Sequence, residues 1–83
     1  MYYVYVLQSR KDKHFYIGYS DNLRERLKAH NSGRVKSTKS RRPFHLVYYE
    51  AYENKDDATK REYELKTGQQ REILKERLKN SLE

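Results

Sequence analysis

Two stretches near the start of the chain have the alternating apolar pattern of β-strands. Residues 2–8, YYVYVLQ, are aromatic or β-branched, and residues 14–19, HFYIGY, resume that pattern after the polar run SRKDK. This arrangement predicts an antiparallel hairpin. The period of two places Tyr3, Tyr5 and Leu7 on one face of the first strand, Tyr2, Val4 and Val6 on the other, and Tyr16 with Gly18 on one face of the second.

A helix of about three turns is predicted after the hairpin. Ser20 or Asp21 is expected to cap its start, and HNSG at 30–33 contains the Asn and Gly that end helices. The following run, GRVKSTKSRRP at 33–43, holds five basic residues and no acid. Such a composition predicts an exposed loop.

The second half of the chain predicts one more strand and two more helices. FHLVYYEAYE at 44–53 is a third strand rich in aromatics, and Asn54 begins a second helix that is expected to end near Thr67 and Gly68. Asp56 and Asp57 fall in its first turn, where the helix dipole favours negative charge.

The last segment, QQREILKERLK, is amphipathic and offers three apolar side chains to a core: Ile73, Leu74 and Leu78. The predicted order is therefore strand, strand, helix, strand, helix, helix. No repeat or internal linker interrupts it, so we expect a single domain over residues 1–83.

Composition and charge narrow the class of partner. Nineteen Lys and Arg against twelve Asp and Glu give a net charge of +7, which attracts polyanions and makes nucleic acid the first partner to consider. The chain has no cysteine, which excludes a disulfide framework and a thiolate zinc site. Its opening segment is too short and too alternating for a signal peptide or membrane span, so we expect a soluble cytoplasmic protein without a membrane partner.

The basic loop has two interpretations. It is either a solvated run of charge or a surface that contacts several DNA phosphates. The residues concerned are Arg34, Lys36, Lys39, Arg41 and Arg42.

The first helix turns two polar side chains toward its apolar face. With Leu23 at zero on a helical wheel, Leu27 lies at about 40°, His30 at about 340° and Arg26 at about 300°. Burying a guanidinium without partners costs several kcal/mol, so Arg26 must reach solvent, pair with an acid or line a cleft that holds an anion. His30 is either a satisfied half-buried side chain or part of such a cleft.

The second helix repeats this feature with an acid. Ala58, Glu62 and Leu65 follow i, i+4, i+7 spacing, so Glu62 lies within an apolar stripe. Its carboxylate is either a salt-bridge partner for a residue such as Arg26 or a ligand for a hard cation such as Mg²⁺.

These residues together resemble the GIY-YIG nuclease domain. The resemblance rests on Tyr3-Val4-Tyr5 on the first strand, Tyr16-Ile17-Gly18 on the second, and then Arg26, His30 and Glu62. It covers nearly the whole chain, and HNSG and KREYELKTG resemble the small stand-alone bacterial group of that family. Tyr3 stands where the first motif opens with glycine, a position that varies in the family and is not itself catalytic.

The resemblance implies a fold and a chemistry. The fold is α+β, a three-stranded antiparallel sheet flanked by helices, and the activity is hydrolysis of DNA phosphodiesters with one divalent metal, Mg²⁺ or Mn²⁺, and no small-molecule cofactor. By this analogy Glu62 holds the metal and Arg26 binds the scissile phosphate. Tyr5, Tyr16 and His30 position or deprotonate the attacking water. An unperturbed tyrosine pKa of about 10 and histidine pKa of about 6.5 leave the choice of base between Tyr5 and His30 open.

Two other functions fit the same residues. The domain is alternatively a non-catalytic nucleic-acid-binding module of the same fold, without base-specific readout. A third possibility makes the inward charges purely structural, with Arg26 paired to Glu62.

Overall fold

Three strands and three α-helices follow one another along the described part of the chain, in the predicted order. In the computed structural model, which describes residues 1–82, the elements are β1 (Tyr2–Ser9), β2 (Phe15–Ser20), α1 (Leu23–Asn31), β3 (Phe44–Tyr52), α2 (Lys55–Leu65) and α3 (Gly68–Arg77). The strands form one antiparallel sheet in the order β2-β1-β3. The predicted α+β fold class is therefore confirmed.

The central strand β1 buries both of its faces, as its double apolar pattern predicts. Val4 and Val6 pack with Ile17 beneath α2 and α3, whereas Tyr5 and Leu7 pack on the other face beneath α1. The period of two therefore separates two small cores, one on each side of the sheet. Their apolar members are Val4, Val6, Ile17, Ala58, Leu65 and Leu74 on the first side, and Tyr5, Leu7 and Phe44 on the second.

A β-bulge interrupts the alternation on β3. Tyr48 pairs with Val6 of β1, but the next pair is Leu46 with Leu7, so Val47 is an extra residue. Val47 and Tyr48 consequently pack toward the same core, that of α2 and α3. Tyr49, which pairs with Tyr5, shares the α1 face and is half exposed.

The first helix starts later than the sequence predicts. Neither Ser20 nor Asp21 caps α1; Asn22 is the N-cap, and its side chain accepts a hydrogen bond from the Glu25 amide. Ser20 remains part of β2 because it pairs with Tyr3 of β1. The predicted end is confirmed, since α1 stops at Asn31 and Gly33 has a φ of +83°, the left-handed region that glycine favours.

The predicted exposed loop at 33–43 contains ordered structure. Residues Lys39–Arg41 form a short 3₁₀ helix, and Thr38 before it is fully buried. Two hydrogen bonds attach this segment to the end of β1: Ser9 Oγ donates to the Arg41 carbonyl at 2.6 Å, and the Arg10 amide donates to the Pro43 carbonyl at 2.8 Å. The prediction of exposure is therefore confirmed for most of this segment, with Thr38 as the buried exception, whereas the prediction that it contains no element is wrong.

Each of the two remaining helices differs from its prediction in one respect: where α2 ends, and which apolar residues of α3 are buried. Asn54 caps α2 as predicted, but the helix ends at Leu65 with Lys66 as its C-cap. Of the residues offered to the core by α3, Leu74 is buried and Leu78 partly buried, whereas Ile73 is 46% exposed. Ile73 is therefore a surface residue. No helix within residues 1–82 is long and apolar enough to cross a bilayer.

Candidate active site

The hydroxyl of Tyr5 lies above β2 because Gly18 has no side chain there. The two residues are cross-strand partners, and a Cβ at residue 18 would lie 2.5 Å from Tyr5 Cζ. The phenol therefore extends over β2, an edge strand of the sheet. Gly18 is required by close approach, as its place in the motif suggests.

Tyr5, His30 and Thr38 form a buried chain of hydrogen bonds. Tyr5 Oη and His30 Nε2 are 2.9 Å apart, and His30 Nδ1 and Thr38 Oγ1 are 2.8 Å apart. His30 and Thr38 are 0% exposed and Tyr5 is 1% exposed. The ring of Tyr16 packs edge-on against His30, with centroids 4.8 Å apart. The wheel prediction that His30 faces inward is confirmed.

Hydrogen-bond counting assigns the protons in this chain. Arg26 Nε donates to Tyr5 Oη at 3.4 Å, and Thr38 Oγ1 can donate to the Val35 carbonyl at 3.4 Å. If His30 carries its proton on Nδ1, it donates to Thr38, and Nε2 accepts the Tyr5 proton. With the proton on Nε2, the buried Tyr5 hydroxyl would have no acceptor among the described residues. The Nδ1-protonated tautomer satisfies every group.

The surroundings keep both His30 and Tyr5 neutral. Burial, with a further contribution from the Arg26 charge, lowers the pKa of His30 to about 4. Burial raises the pKa of Tyr5 above its usual value, against the opposing effect of the Arg26 hydrogen bond; the charges of Tyr16 and Glu62 add smaller increases. At neutral pH the pair is therefore a phenol donating to an imidazole.

Arg26 is half-buried and directed at this pair, as the wheel predicts. Its hydrogen bond to Tyr5 raises the pKa of the guanidinium, so the side chain stays charged. Within residues 1–82 it does not pair with Glu62, whose Oε2 lies 3.2 Å from Lys66 Nζ. The described residues therefore do not contain the Arg26–Glu62 salt bridge that the purely structural alternative requires.

Glu62 lies on the helix that covers the opposite face of the sheet. Its helix α2 packs against β1 and β2 on the side away from α1. The carboxylate is 23% exposed at the side chain, and its field acts on Tyr5. The cluster on the α1 side of the sheet thus contains Tyr5, Tyr16, Arg26 and His30. Glu62 belongs to α2 on the other side. A cavity of about 470 Å³ lies elsewhere, between Tyr3, Tyr49 and the start of α1.

Arg61, which precedes Glu62, has a structural role on the other side of α2. Its Nε donates to Glu50 Oε1 at 3.0 Å, and the hydroxyls of Tyr48 and Tyr52 donate to the same carboxylate. Burial alone would raise the pKa of Glu50, but these hydrogen bonds outweigh it and the pKa is lowered. The Arg61–Glu50 ion pair therefore attaches α2 to β3, and the two tyrosine hydroxyls of β3 hold the Glu50 carboxylate in place.

The five basic residues of the 34–42 segment are not equivalent. Arg41 donates to Asp12 at 2.8 Å and stacks over the Phe44 ring, with 5.5 Å from Cζ to the ring centroid, so it holds the segment to the β1–β2 turn. Arg42 donates to the Lys39 carbonyl and Arg34 to Ser32 Oγ. Arg34, Lys36, Lys39 and Arg42 are exposed.

Thr38 is the site residue that the sequence analysis missed. It belongs to the basic segment, where its neighbours suggest only a solvated loop, and a lone threonine carries no pattern that marks it. Only the packing of the segment against α1 brings its hydroxyl to His30.

Comparison with known proteins identifies the class to which this fold and site belong. The sequence pattern of the GIY-YIG catalytic domain matches residues 1–77, so the chain belongs to the GIY-YIG family, a nuclease superfamily. The UPF0213 protein of Staphylococcus haemolyticus is 44% identical over 75 residues, covering 89% of this chain and 90% of that one. The UPF0213 protein of Clostridium perfringens is 49% identical over 67 residues, covering 80% and 71%.

A solved structure supports the same assignment. The solution NMR structure of a UPF0213 protein from Bacillus halodurans matches with a TM-score of 0.56 and 38% identity, covering 89% of this chain and 82% of that one. The relatives are thus small GIY-YIG proteins, as the resemblance predicts.

Proposed function

We propose that this domain is a metal-dependent DNA endonuclease that hydrolyses phosphodiester bonds and prefers structured or branched DNA. The observation that carries the proposal is the arrangement of Arg26 beside the Tyr5–His30 pair at an open sheet edge. Hydrolysis of a phosphodiester needs a cation for the phosphoryl charge and a positioned base for the water. Arg26 offers the first and the pair offers the second.

The proton would move through Tyr5 to His30. With Nδ1 protonated and bonded to Thr38, the free nitrogen of His30 is Nε2, and its hydrogen-bond partner is Tyr5 Oη. As the water oxygen forms its bond to phosphorus, its proton passes to Tyr5 Oη while the Tyr5 proton passes to His30 Nε2. The bond from phosphorus to the leaving oxygen breaks, and that oxygen takes a proton from bulk water. Tyr5 is then the immediate base and His30 a transient acceptor, which, because of its lowered pKa, returns the proton through Tyr5 to the solvent once the leaving oxygen is protonated.

A divalent metal would be held at Glu62. Its carboxylate is partly exposed, and no cluster of three or more His, Cys, Asp or Glu side chains lies within residues 1–82. The proposed ion is therefore one that needs a single protein carboxylate and takes its other ligands from waters and a substrate phosphate, as Mg²⁺ or Mn²⁺ can. A bound metal supplies a Lewis acid for the phosphoryl oxygens. Lys66 would give up its ion pair with Glu62, which costs little because Lys66 is 52% exposed at the side chain.

DNA would be held mainly through its phosphates. Arg34, Lys36, Lys39 and Arg42 present exposed positive charge on the segment that Thr38 attaches to His30. All three helices pack on the sheet, so none is presented to a groove for base readout. We therefore propose selection by DNA shape or flexibility rather than by sequence.

The test is cleavage by matched variants. Purified protein is incubated with branched, flapped and duplex DNA in Mg²⁺ or Mn²⁺, and Glu62→Ala is compared with Glu64→Ala, which removes a neighbouring carboxylate of α2. Cleavage by the wild type and by Glu64→Ala, with a loss of about a hundredfold or more in Glu62→Ala and Arg26→Ala, supports the proposal. No cleavage by the wild type, or equal cleavage by Glu62→Ala, refutes it.

One observation favours the second candidate, a non-catalytic DNA-binding module. The carboxylate proposed for the metal already has a cation partner in Lys66. Salt-sensitive DNA binding with no turnover on any of the three substrates would select this alternative. A Lys66→Gln variant that gains cleavage would instead show that the ion pair only competes with the metal.

A further inference from the structure

We propose that a second basic surface, formed by the β1–β2 turn and α3, binds backbone phosphates of the DNA on the far side of β2. This surface is a cleft of about 120 Å³ lined by Lys13, His14, Phe15, Arg71 and Lys75, and it contains no acid. The inference deepens the proposed function, on which it rests, by adding a contact site outside the 34–42 segment. We call it the α3 cleft.

The cations of the α3 cleft are largely uncommitted. Lys13 has no acid partner within residues 1–82 and is exposed. Arg71 Nη2 reaches only the Lys66 carbonyl, at the long distance of 3.5 Å, and its buried Nε has no hydrogen-bond partner among the described residues. Lys75 pairs with Glu72 at 3.4 Å, but both side chains are about half or more exposed, so that pair contributes little. Positively charged side chains that lie close together without neutralising acids favour the binding of an anion between them.

The nearby acids do not neutralise the cleft. Asp12, on the same turn, is bound by Arg41, and Glu72 points outward with 73% of its side chain exposed. Lys11 Nζ donates to the Ser40 carbonyl at 3.0 Å, so the turn also contacts the basic 34–42 segment. The two positive surfaces are therefore joined around the start of β2.

The spacing fits one DNA strand lying along the edge of β2. Phe15, in the cleft, begins β2, and Gly18, beneath the Tyr5 hydroxyl, lies three residues further along the strand. Three strand residues span about 10 Å. This is the axial rise of about three phosphates on one DNA strand. A strand with its scissile phosphate at Arg26 would thus place another phosphate over the cleft.

DNA binding without metal tests the cleft separately from catalysis. Lys13→Gln/Lys75→Gln is compared with Lys55→Gln/Lys60→Gln, which removes the same charge from exposed positions of α2. Fluorescence anisotropy with a labelled duplex in EDTA gives Kd at several salt concentrations. We expect the cleft variant to bind about tenfold more weakly at about 50 mM salt and to lower the slope of log Kd against log salt by about two. The α2 variant should change Kd less than about threefold.

Each outcome decides the inference. Equal weakening by both variants would show that only total charge matters, and no weakening by the cleft variant would show that the cleft is unused; either overturns the proposal. Absence of wild-type binding at low salt overturns it too. If only the cleft variant binds DNA more weakly but the wild type never cleaves DNA, the proposed phosphate-binding role of the α3 cleft stands and the proposed nuclease activity is refuted. Circular dichroism of both variants confirms that they fold.

Discussion

The buried neutral His30 predicts that the domain loses stability between about pH 6.5 and pH 4. An unfolded histidine takes up a proton near its ordinary pKa of about 6.5, whereas in the fold the pKa is lowered to about 4. Between these values the unfolded chain binds more protons, so the free energy of unfolding falls as the pH falls. Each pKa unit corresponds to about 1.4 kcal/mol, so the loss is about 3 kcal/mol.

Such a loss is large for a domain of this size. Native domains have free energies of unfolding of about 5–15 kcal/mol, so acidification would remove about a fifth or more of the total. The contribution of Glu50 to the free energy of unfolding is also lost on acidification, because the pKa of its carboxyl is lowered in the fold. That loss begins only below its ordinary value of 4.5, so it leaves most of the histidine window clear.

Urea unfolding followed by circular dichroism, at pH values from about 7 down to about 4, measures this effect. His30→Gln is the control, because its amide can accept from Tyr5 and donate to Thr38 but does not titrate. The wild type should lose about 3 kcal/mol more than His30→Gln over this range, whatever the starting stability of the variant. Equal losses in the two proteins would refute the neutral buried histidine.

Other substitutions test the remaining contacts of the site and the core. Gly18→Ala drives a Cβ into the Tyr5 ring, so we expect a loss of about 2 kcal/mol in urea unfolding and a shift of the Tyr5 ring signals in NMR spectra; unchanged spectra would contradict it. Thr38→Val should mix the tautomers of the site histidine in nitrogen-15 spectra while Thr38→Ser keeps the Nδ1-protonated form, and identical spectra would refute the proton assignment. Arg61→Leu should cost about 2–3 kcal/mol, because Glu50 loses its cation partner, and Lys60→Leu on the exposed face of α2 should cost little.

Much of the fold could be predicted from local patterns. The β1 alternation placed Tyr5 and Val4 on opposite faces, and the helical wheel turned His30 and Arg26 inward; the two cores and the buried histidine confirm both. These patterns work because a strand of period two and a helix of period 3.6 fix side-chain direction without reference to the rest of the chain. The site roles of Tyr5, Tyr16, Arg26, His30 and Glu62 remain predictions to be tested by cleavage.

Other features depend on contacts between distant segments. The N-cap falls at Asn22 because Ser20 pairs with Tyr3 in the sheet, and Thr38 is buried because its segment is attached to Ser9 of β1. No local pattern encodes either contact. The bulge at Val47 likewise arises from the register of β3 against β1.

The sequence by itself determined the order of elements, the two-faced central strand and the inward direction of Arg26 and His30, because local periodicity and residue type decide these. Only the tertiary structure decided which hydroxyls bind His30, which face of the sheet carries the helix of Glu62, and that Lys13 of one turn lines the same cleft as Arg71 of a late helix. These are relations between residues far apart in the chain. The packing of helices on both faces of the sheet brings them together, and the sequence pattern contains no record of those distances.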